Sequence, residues 1–378
     1  MSKRPKTAAV APEDAGEDTF QCLHEIITEA RKRLHPQHWD YLMGGTGTET
    51  TLKRNRLAID SLALRSRVLR DVTKVDATWT VLGRKVRLPV LLAPIGGVEA
   101  FDPDGAAAVG RASAKFGVPH MLSSACAPGL EKTAAAAKNF RMYQLCVRGD
   151  DGFVDDVVKR ALDNGFHGFC VTVDSAVYSR RERDITSRYA KPWRRRATGL
   201  EYQSGFTWAN VRRFRERHPD VPLILKGIAT PEDAAICVEH GVAVVYVSNH
   251  GGRQLDQGLG SLSVVPEVVQ AVAGKAKVWV DGGFMRGTDI VKAIASGADC
   301  VGLGRLQGLA VAAGGTKVLV RALELLEEEV KEALALMGQT KFADVNASCL
   351  RKAEPVVEPH VLSAFQLLGV PPGGTYNF

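Results

Sequence analysis

Short apolar runs alternate with longer amphipathic segments through the middle of the chain. The short runs are rich in Val, Ile, Leu and aromatic residues, as buried strands are, and the longer segments carry apolar residues at helical spacing. Eight strands are predicted, at residues 90–93, 120–122, 142–145, 168–172, 223–225, 244–247, 278–280 and 300–303. The helices that follow are predicted at residues 106–116, 130–137, 153–164, 208–218, 231–239, 264–273 and 288–295 and from about Gly308.

Such an alternation is typical of two architectures, a closed barrel and a doubly wound open sheet. A doubly wound nucleotide-binding domain carries G-x-G-x-x-G after its first strand. That pattern does not follow residues 90–93, and Gly302 and Gly304 lie at the end of the eighth strand instead. We therefore expect an α/β fold, a (β/α)8 TIM barrel, as a single domain over residues 17–351.

The segments on either side of the barrel are predicted from the same patterns. Residues 1–16 are rich in Ala, Pro and charged residues and have no apolar period, so we expect a disordered N-terminus. Apolar residues from Phe20 to Ala30 predict one helix, and a second helix begins at Pro36 and ends at Gly44. After the barrel, residues 318–337 predict a long amphipathic helix, and the proline-containing residues 352–378 predict a largely extended arm.

Composition is that of an ordinary globular protein, with 45% hydrophobic and 24% charged residues among 378. No apolar stretch reaches the roughly 18 residues of a membrane span and no secretory signal opens the chain, so we expect a cytoplasmic location and no membrane partner. The seven cysteines lack metal-binding spacing, which indicates free thiols and no metal site. The net charge of +7 comes from dispersed basic residues with one denser run at residues 191–196, so no nucleic-acid partner is predicted.

Polar residues or glycines interrupt the apolar pattern at the C-terminal end of every predicted strand. In a (β/α)8 barrel these ends meet on one face, where ligands bind. Each residue alone has an ordinary structural explanation, such as a helix cap or a turn, but the whole set favours one large polar ligand. Two of the turns are glycine-rich and expose backbone N–H groups beside arginines, as a phosphate requires. The residues are Pro94, Ile95 and Gly96, Ser123, Gln144, Thr172 and Asp174, Lys226, Ser248, Asp281, Gly282 and Gly283, and Gly304 and Arg305.

The segment after the sixth strand carries the densest chemistry. It has the sequence SNHGGRQLD and places His250 and Arg253 three positions apart, with two glycines between them. A histidine can accept a proton from a C–H or O–H bond, and a guanidinium can bind a carboxylate through two hydrogen bonds. The pattern therefore predicts a site that acts on a carboxylate-bearing substrate.

The motif SNHGGRQLD also resembles the active-site signature of the FMN-dependent α-hydroxy acid oxidases and dehydrogenases, and the similarity extends from about Tyr41 to Gly308. This family includes glycolate oxidase, lactate oxidase, mandelate dehydrogenase and flavocytochrome b2. The resemblance implies bound FMN and oxidation of a small-molecule 2-hydroxy acid to the 2-keto acid. It also implies a homo-oligomer, either a tetramer or an octamer.

The resemblance assigns FMN contacts to the residues at the strand ends. Those implied at the phosphate and ribityl chain are Ser248, Asp281, Gly282, Gly283, Arg286, Gly304 and Arg305. Those implied at the flavin ring are Pro94, Ile95 and Gly96 at N5, Ser123, Gln144 and Thr172 at the polar edge, and Lys226 beside N1 and the C2 carbonyl.

For the substrate, the resemblance makes His250 the catalytic base and Asp174 the carboxylate that orients it. Arg253 is the implied carboxylate anchor, Arg181 a second guanidinium at the site, and Tyr41 a tyrosine that hydrogen-bonds the substrate. Whether the base takes the α-proton or the hydroxyl proton stays open.

Four positions differ from the commonest family pattern. Cys146 replaces an active-site tyrosine and Ala125 replaces a tryptophan of glycolate oxidase, so we expect an enlarged pocket for a medium-sized or bulky hydroxy acid. Tyr178 is a candidate for the missing hydroxyl. Met285 replaces an arginine of the phosphate site, and Gly96 replaces an alanine.

The change at Cys146 leaves other functions open. One is a family member that acts on a modified peptide or metabolite. The missing methyl at Gly96 leaves open another, an oxidative decarboxylase similar to lactate monooxygenase. A third is a flavin-binding protein without catalysis, against which the joint presence of His250, Asp174 and Arg253 argues.

Overall fold

The computed structural model describes residues 20–189 and 198–369. Its strands are β1 (Leu62–Leu64), β2 (Trp79–Val81), β3 (Arg84–Val86), β4 (Val90–Leu92), β5 (His120–Ser123), β6 (Arg141–Leu145), β7 (Phe169–Thr172), β8 (Leu223–Ile228), β9 (Val244–Val247), β10 (Lys277–Asp281), β11 (Cys300–Leu303) and β12 (Leu350–Lys352). Strands β4 to β11 are parallel and form a closed barrel, in which β9 pairs with β10 and β11 with β4. The predicted (β/α)8 barrel is confirmed, with strand ends up to three residues from those predicted.

Side chains of the barrel strands alternate between the interior and the surrounding helices, because successive residues of a strand point to opposite faces. Along β7, Cys170 and Thr172 face the interior, whereas Phe169 and Val171 pack with the outer helices. The lower part of the interior is apolar and contains Leu91, Met121, Met142, Cys170, Ile224, Val244, Tyr246, Trp279 and Cys300. Polar residues follow two positions later on several strands and form the next layer toward the C-terminal ends: Gln144, Thr172, Lys226, Ser248 and Asp281.

The antiparallel hairpin of β2 and β3 covers the N-terminal end of the barrel. Val81 and Val86 of this hairpin pack against the apolar interior layer. The indole N–H of Trp79 donates to the carbonyl of Asp299, directly before β11, at 2.8 Å. Since this end is filled by apolar side chains, the polar layer opens toward the opposite end.

The helices surround the barrel and extend it at both ends of the chain. They are α1 (Leu23–Arg33), α2 (Pro36–Met43), α3 (Thr50–Asp60), α4 (Ala106–Phe116), α5 (Leu130–Ala136), α6 (Asp151–Asp163), α7 (Glu182–Thr186), α8 (Leu200–Ser204), α9 (Trp208–Arg217), α10 (Pro231–Glu239), α11 (Ser261–Val272), α12 (Gly287–Ala295) and α13 (Arg305–Leu336). Helix α13 bends at Gly314 and Gly315, whose backbone angles are not helical, so it joins the eighth barrel helix to the predicted amphipathic helix. None of the described helices combines the length and the apolarity that a membrane span needs.

The N-terminal region differs from the prediction. Within the described residues, three helices rather than two come before the barrel, and the first begins at Leu23 rather than at Phe20. The unpredicted helix α3 buries Thr51, Leu52, Asn55, Arg56 and Ile59. Because three of these five side chains are polar, its buried face carries little hydrophobic signal in the sequence.

The predicted C-terminal arm is described only in part. Lys352, the first residue of the predicted arm, belongs to β12, which pairs antiparallel with β1. Residues 353–365 form neither strand nor helix, and Gln366–Gly369 form a short 3-10 helix that was not predicted. The predicted disordered residues 1–16, the basic run at residues 191–196 and residues 370–378 of the arm lie outside the described residues.

Candidate active site

A cavity of about 390 Å³ opens at the C-terminal ends of the barrel strands. Most of the predicted site residues line it: Tyr41, Pro94, Ile95, Gly96, Ser123, Ala125, Gln144, Cys146, Thr172, Tyr178, Arg181, Lys226, His250, Arg253, Asp281, Gly282, Gly283, Gly304 and Arg305. Asp174 and Ser248 lie behind this wall and bond to residues in it, whereas Arg286 lies elsewhere. The volume falls within the range of small-molecule and cofactor pockets, about 300–1,000 Å³.

Lys226, Ser248 and Asp281 form a buried hydrogen-bonded group at the ends of β8, β9 and β10. The Lys226 Nζ donates to Ser248 Oγ at 2.7 Å and lies 3.2 Å from Asp281 Oδ2, and Ser248 Oγ donates to Asp281 Oδ1 at 2.6 Å. Burial by itself lowers the pKa of Lys226, but Asp281 and Asp174 offset this effect and raise the pKa above its usual value. The group therefore holds a fixed cation at the inner end of the cavity.

His250 lies in the turn after β9, with its Nδ1 3.0 Å from Oδ1 of Asp174. A carboxylate only accepts hydrogen bonds, so Nδ1 carries the hydrogen and Nε2 keeps its lone pair. Burial lowers the pKa of His250 below its usual value, although Asp174 opposes this shift. Burial alone would raise the pKa of Asp174, but His250 and Lys226 hold it below its usual value. At neutral pH the site therefore has a neutral imidazole beside an ionised carboxylate, as a proton acceptor requires.

The guanidinium groups of Arg253 and Arg305 both donate to the carbonyl of Gly44, at 2.9 and 2.8 Å. Arg253 also donates to the Tyr41 carbonyl at 2.6 Å, and Arg305 donates to the Gly251 carbonyl at 2.9 Å. All of these acceptors are neutral carbonyl groups. Burial is the main cause that lowers the pKa of Arg253 to about 10 and that of Arg305 to about 9. Two cations that remain charged at neutral pH are thus held close together, which favours an anionic ligand.

One wall of the cavity brings together the remaining predicted substrate residues. The ring of Tyr41 lies 4.9 Å from the guanidinium carbon of Arg253, and its hydroxyl donates to the carbonyl of Gly96 at 2.6 Å. Burial raises the pKa of Tyr41 to about 12, so the hydroxyl keeps its proton. The guanidinium of Arg181 lies 4.8 Å from the ring of Tyr178, which places a second cation and a second phenol at the same wall.

Strands β5, β6 and β7 present a row of polar atoms to the cavity. The Gln144 Nε2 donates to Thr172 Oγ1 at 2.8 Å and to Cys146 Sγ at 3.3 Å. The Ser123 Oγ accepts the backbone N–H of Ala125 at 3.2 Å. This row suits the heteroatom edge of a planar ring, while Ala125 and Cys146 contribute only small side chains to the wall.

Two glycine turns supply backbone N–H groups at another part of the cavity. Gly282 and Gly283 have φ angles of 109° and 89°, which residues with side chains rarely adopt. The N–H groups at the start of α12 already donate to carboxylates, those of Met285 and Arg286 to Asp289 and that of Gly287 to Glu329. Gly304 directly precedes α13, so the N-terminus of α13 flanks this part of the site. A Cβ atom on Gly304 would meet no other atom within 4 Å, so the space beside it is open. Helix N-termini with accessible backbone N–H groups are suited to a phosphate.

Arg286, which was predicted at the phosphate, is not brought to the cavity. Its Nη2 lies 2.7 Å from Oε1 of Glu329, its Nε donates to Oε2 of the same carboxylate at 3.1 Å, and its Nη1 donates to the Ala364 carbonyl at 3.3 Å. The carboxylate of Glu329 on α13 thus binds two nitrogens of the guanidinium, Nε and Nη2, and holds the group away from the cavity. The buried side chain of Met285 lines the cavity.

These features fit the parts of FMN. Backbone N–H groups of the glycine turns and of the α13 N-terminus suit the phosphate, and the polar row of Ser123, Gln144 and Thr172 suits the ring edge. Lys226 provides a cation at the inner end of the cavity, beside this row. The donor set therefore matches the cofactor that the sequence motif implies.

Sequence reasoning missed two groups of residues. One group lines the outer part of the cavity and includes Arg148, Ser175, Ala176, Val177, Leu200, Gln203 and Ser204. The other is Asn55 and its pairing with Asn249 of the SNHGGRQLD motif, in which the two side-chain amides bond to each other behind the His250 turn. The spacing of Thr51, Asn55 and Ile59 is helical and could have revealed α3, had polar residues been allowed on a buried face.

Comparison with known proteins gives a consistent result. A model of the FMN-dependent dehydrogenase family matches residues 30–352. L-lactate oxidase of Nostoc sp. is 36% identical over 357 residues, which cover 87% of this chain and 97% of that protein. 4-hydroxymandelate oxidase of Amycolatopsis orientalis is 36% identical over 343 residues, which cover 85% of this chain and 95% of that protein.

Solved structures show the same relationship. A mandelate oxidase with (S)-2-phenylpropionate has a TM-score of 0.82 and 36% identity, covering 90% of this chain and 100% of that chain. A flavocytochrome b2 mutant with pyruvate bound has a TM-score of 0.83 and 31% identity, covering 89% of this chain and 87% of that chain. The chain therefore belongs to the FMN-dependent dehydrogenase family and is an FMN-dependent oxidoreductase that acts on the CH–OH group of donors.

Proposed function

We propose that this protein oxidises a medium-sized or bulky 2-hydroxy acid to the 2-keto acid, with His250 as the base and Arg253 as the carboxylate anchor. The observation that carries the proposal is that a neutral imidazole bonded to Asp174 and a buried guanidinium line one cavity. A 2-hydroxy acid carries a carboxylate directly beside the carbinol carbon. One molecule can therefore meet both groups at once.

The hydrogen bonds of Arg253 support its role as the anchor. Among the described residues, its bonds to protein carbonyls come from Nη1, at 2.6 and 2.9 Å. The edge formed by Nε and Nη2 is thus left to bind a carboxylate through two parallel hydrogen bonds. Arg181 lines the same cavity and adds a second positive charge.

The environment of His250 supports its role as the base. Bound FMN supplies the two-electron acceptor for the oxidation. The oxidation removes two electrons and two protons from R-CH(OH)-COO⁻, and we assign one of these protons to Nε2 of His250. The imidazolium that forms is stabilised by Asp174, whose carboxylate lies 3.0 Å from Nδ1.

The small side chains of the wall support a bulky substrate. Ala125 and Cys146 line the cavity where larger aromatic residues are common in the family, and Gly96 lines it without a Cβ atom. Two similar proteins are a mandelate oxidase and a 4-hydroxymandelate oxidase, whose names contain aromatic hydroxy acids. A phenyl-substituted or long-chain 2-hydroxy acid would fill the space that these residues leave.

Location, assembly and domain limits stay predictions. We propose a cytoplasmic homo-oligomer, a tetramer or octamer, built on one barrel domain over residues 17–351. One similar protein from rice is a peroxisomal (S)-2-hydroxy-acid oxidase, 37% identical over 345 residues. Cell fractionation, light scattering of the purified protein and limited proteolysis test these three points.

The decisive experiment is anaerobic mixing of the purified FMN-loaded protein with a panel of 2-hydroxy acids, followed by flavin absorbance. Rapid bleaching by aromatic or long-chain members supports the proposal, and the 2-keto acid is then identified by mass spectrometry. Bleaching only by peptides or other metabolites that carry a hydroxy acid group would place the substrate outside simple hydroxy acids. A product one carbon shorter in air, with catalase present to remove hydrogen peroxide, would indicate oxidative decarboxylation, and no bleaching by any compound would contradict an oxidase.

A further inference from the structure

The turn that carries His250 has an unusual backbone conformation. His250, Gly251 and Gly252 have φ angles of 59°, 66° and 76°, so three consecutive residues are left-handed. Glycine adopts this conformation at little cost, but histidine carries a Cβ atom and adopts it only rarely. Such a conformation costs free energy and persists only where the surrounding structure imposes it.

Several hydrogen bonds hold the turn, and two of them come from side chains that lie just before His250 in the sequence. The backbone N–H of His250 donates to Ser248 Oγ at 3.0 Å. The backbone N–H of Gly252 donates to Oδ1 of Asn249 at 2.9 Å. The same N–H also donates to the backbone carbonyl of Asn249 at 3.0 Å, so the Asn249 side chain supports a turn around His250 that the backbone closes as well.

Asn249 is oriented by Asn55, a fully buried residue of α3. The Asn55 Nδ2 donates to Oδ1 of Asn249 at 3.0 Å, and the Asn249 Nδ2 donates back to Oδ1 of Asn55 at 2.8 Å. The Asn55 Oδ1 also accepts the backbone N–H of Ser261, the first residue of α11, at 3.0 Å. One side chain outside the barrel thus connects the beginning and the end of the loop that carries His250.

We propose that Asn55 is a positioning residue for His250, a proposal that rests on the proposed role of His250 as the base. Asn55 holds Asn249, and Asn249 holds the left-handed turn that keeps His250 Nδ1 at Asp174. Without the amide of Asn55, Oδ1 of Asn249 loses a donor and the turn can relax toward ordinary backbone angles. A displacement of the base by about 1 Å is enough to slow an oriented proton transfer by about 10²-fold.

Thr51 offers a matched control on the same helix. It is also fully buried, and its Oγ1 donates to the Leu255 carbonyl and accepts the backbone N–H of Gly258, both at 2.9 Å. These contacts join α3 to the same loop but five residues or more beyond His250. Removing them weakens the packing of α3 on the loop without touching the Asn249 contact.

The test compares Asn55→Ala, Thr51→Ala and the wild type by anaerobic stopped-flow reduction with the best substrate of the panel. We expect Asn55→Ala to lower the limiting rate of flavin reduction by about 10-fold to 10²-fold, with FMN affinity within about threefold of wild type. We expect the midpoint of its pH–rate profile to move up toward the ordinary histidine value, because a relaxed turn exposes the imidazole to water. Thr51→Ala should lower the melting temperature but keep rate and midpoint.

A wild-type rate and midpoint in Asn55→Ala would overturn the positioning role while leaving the oxidase function intact. A parallel loss of FMN affinity would also overturn it, since Asn55 packs beside Gly282 and Gly283 and would then act on the phosphate turn. If Asn55→Ala does not fold, Asn55→Asp has the same shape and keeps an oxygen that accepts the N–H of Ser261, but it has no N–H to donate to Oδ1 of Asn249, and the same rate loss is expected. Failure of the wild type itself to react with any 2-hydroxy acid would instead refute the proposed function.

Discussion

Nδ1 of His250 lies 3.0 Å from Oδ1 of Asp174, and the second carboxylate oxygen of Asp174 is buried without a hydrogen-bond partner among the described residues. The hydrogen-bonding partner of this carboxylate is thus the imidazole of His250. Because both groups are buried, the interaction between them is strong and sets the protonation of His250. The consequences for catalysis can be measured separately for the base, its partner and the anchor.

Replacing the base should slow flavin reduction but leave the binding of FMN and of a substrate-like ligand intact. In His250→Gln we expect FMN and a 2-keto acid still to bind, because Lys226 and Arg253 are unchanged, while flavin reduction slows by about 10²-fold to 10⁴-fold. Stopped-flow reduction measures the rate, and absorbance titration with the 2-keto acid measures docking. His240→Gln, a histidine stacked on Trp208 away from the cavity, is the control. Reduction at near the wild-type rate would show that His250 is not the base.

The pH dependence follows from the lowered pKa of His250. Protonated histidine cannot accept a proton, so kcat/KM should be flat at neutral pH and fall as pH decreases through a midpoint below 6.5. Asp174→Asn removes the interaction that raises the pKa of His250, so the midpoint should move to still lower pH. The plateau rate should fall as well, because the imidazolium loses its anion. A wild-type midpoint above 6.5, or an upward shift in Asp174→Asn, would contradict this assignment.

Arg253→Lys should affect substrate capture more than turnover. The lysine ammonium is a point charge and cannot form the two parallel hydrogen bonds of the guanidinium. The loss of one charge-assisted hydrogen bond costs about 1.5–3 kcal/mol, which corresponds to a decrease in kcat/KM of about 10-fold to 10²-fold. The decrease in kcat should be smaller. Arg87→Lys, on the Glu327 ion pair outside the cavity, is the control. Equal losses in kcat and kcat/KM would instead assign Arg253 to the transition state alone.

Met285→Arg should tighten FMN binding. Arg286 is held by Glu329, and the guanidinium of Arg305 already donates to two carbonyl groups. An arginine in place of Met285, which lines the cavity, therefore supplies a further positive charge to pair with the phosphate. We expect the Kd for FMN to fall by about tenfold, or about 1.4 kcal/mol. Fluorescence titration of the apoprotein measures it.

Riboflavin and Met285→Leu are the controls for this change. Riboflavin has no phosphate, so its affinity should be the same in Met285→Arg and in the wild type, and Met285→Leu should bind FMN as the wild type does. An unchanged or weaker FMN affinity in Met285→Arg would show that the backbone N–H groups of the glycine turns already suffice.

Substrate size should be set by Ala125 and Cys146. Glycolate and lactate leave the space beside these residues unfilled, and each missing methylene contact loses roughly 0.8 kcal/mol. We therefore expect phenyl-substituted or long-chain 2-hydroxy acids to have the higher kcat/KM, and Ala125→Trp to reverse the preference. Steady-state kinetics with both classes decide the point, and a wild-type preference for glycolate would contradict the enlarged pocket.

The sequence by itself determined the barrel and most of its ligand face. Buried parallel strands are apolar runs, so eight of them could be counted, and any polar residue at a strand end stood out against that background. Residues such as Lys226, Asp281 and His250 were found in this way because a closed barrel brings all C-terminal strand ends to one face. Their meeting depended only on the order of the elements.

Tertiary structure decided what depends on partners distant in sequence. Helix α3 was missed because its buried face contains Asn55 and Arg56, whose amide and guanidinium bond to residues about 200 positions further along the chain, although Arg56 also pairs with Asp60 on the same helix. Arg286 is adjacent to Met285 in sequence, yet it points outward because the Glu329 carboxylate lies 2.7 Å from its guanidinium. Hydrophobic periodicity indicates whether a residue is buried. The direction of a buried or partly buried charge or amide is set by the groups that pair with it, and only the folded chain brings these groups together.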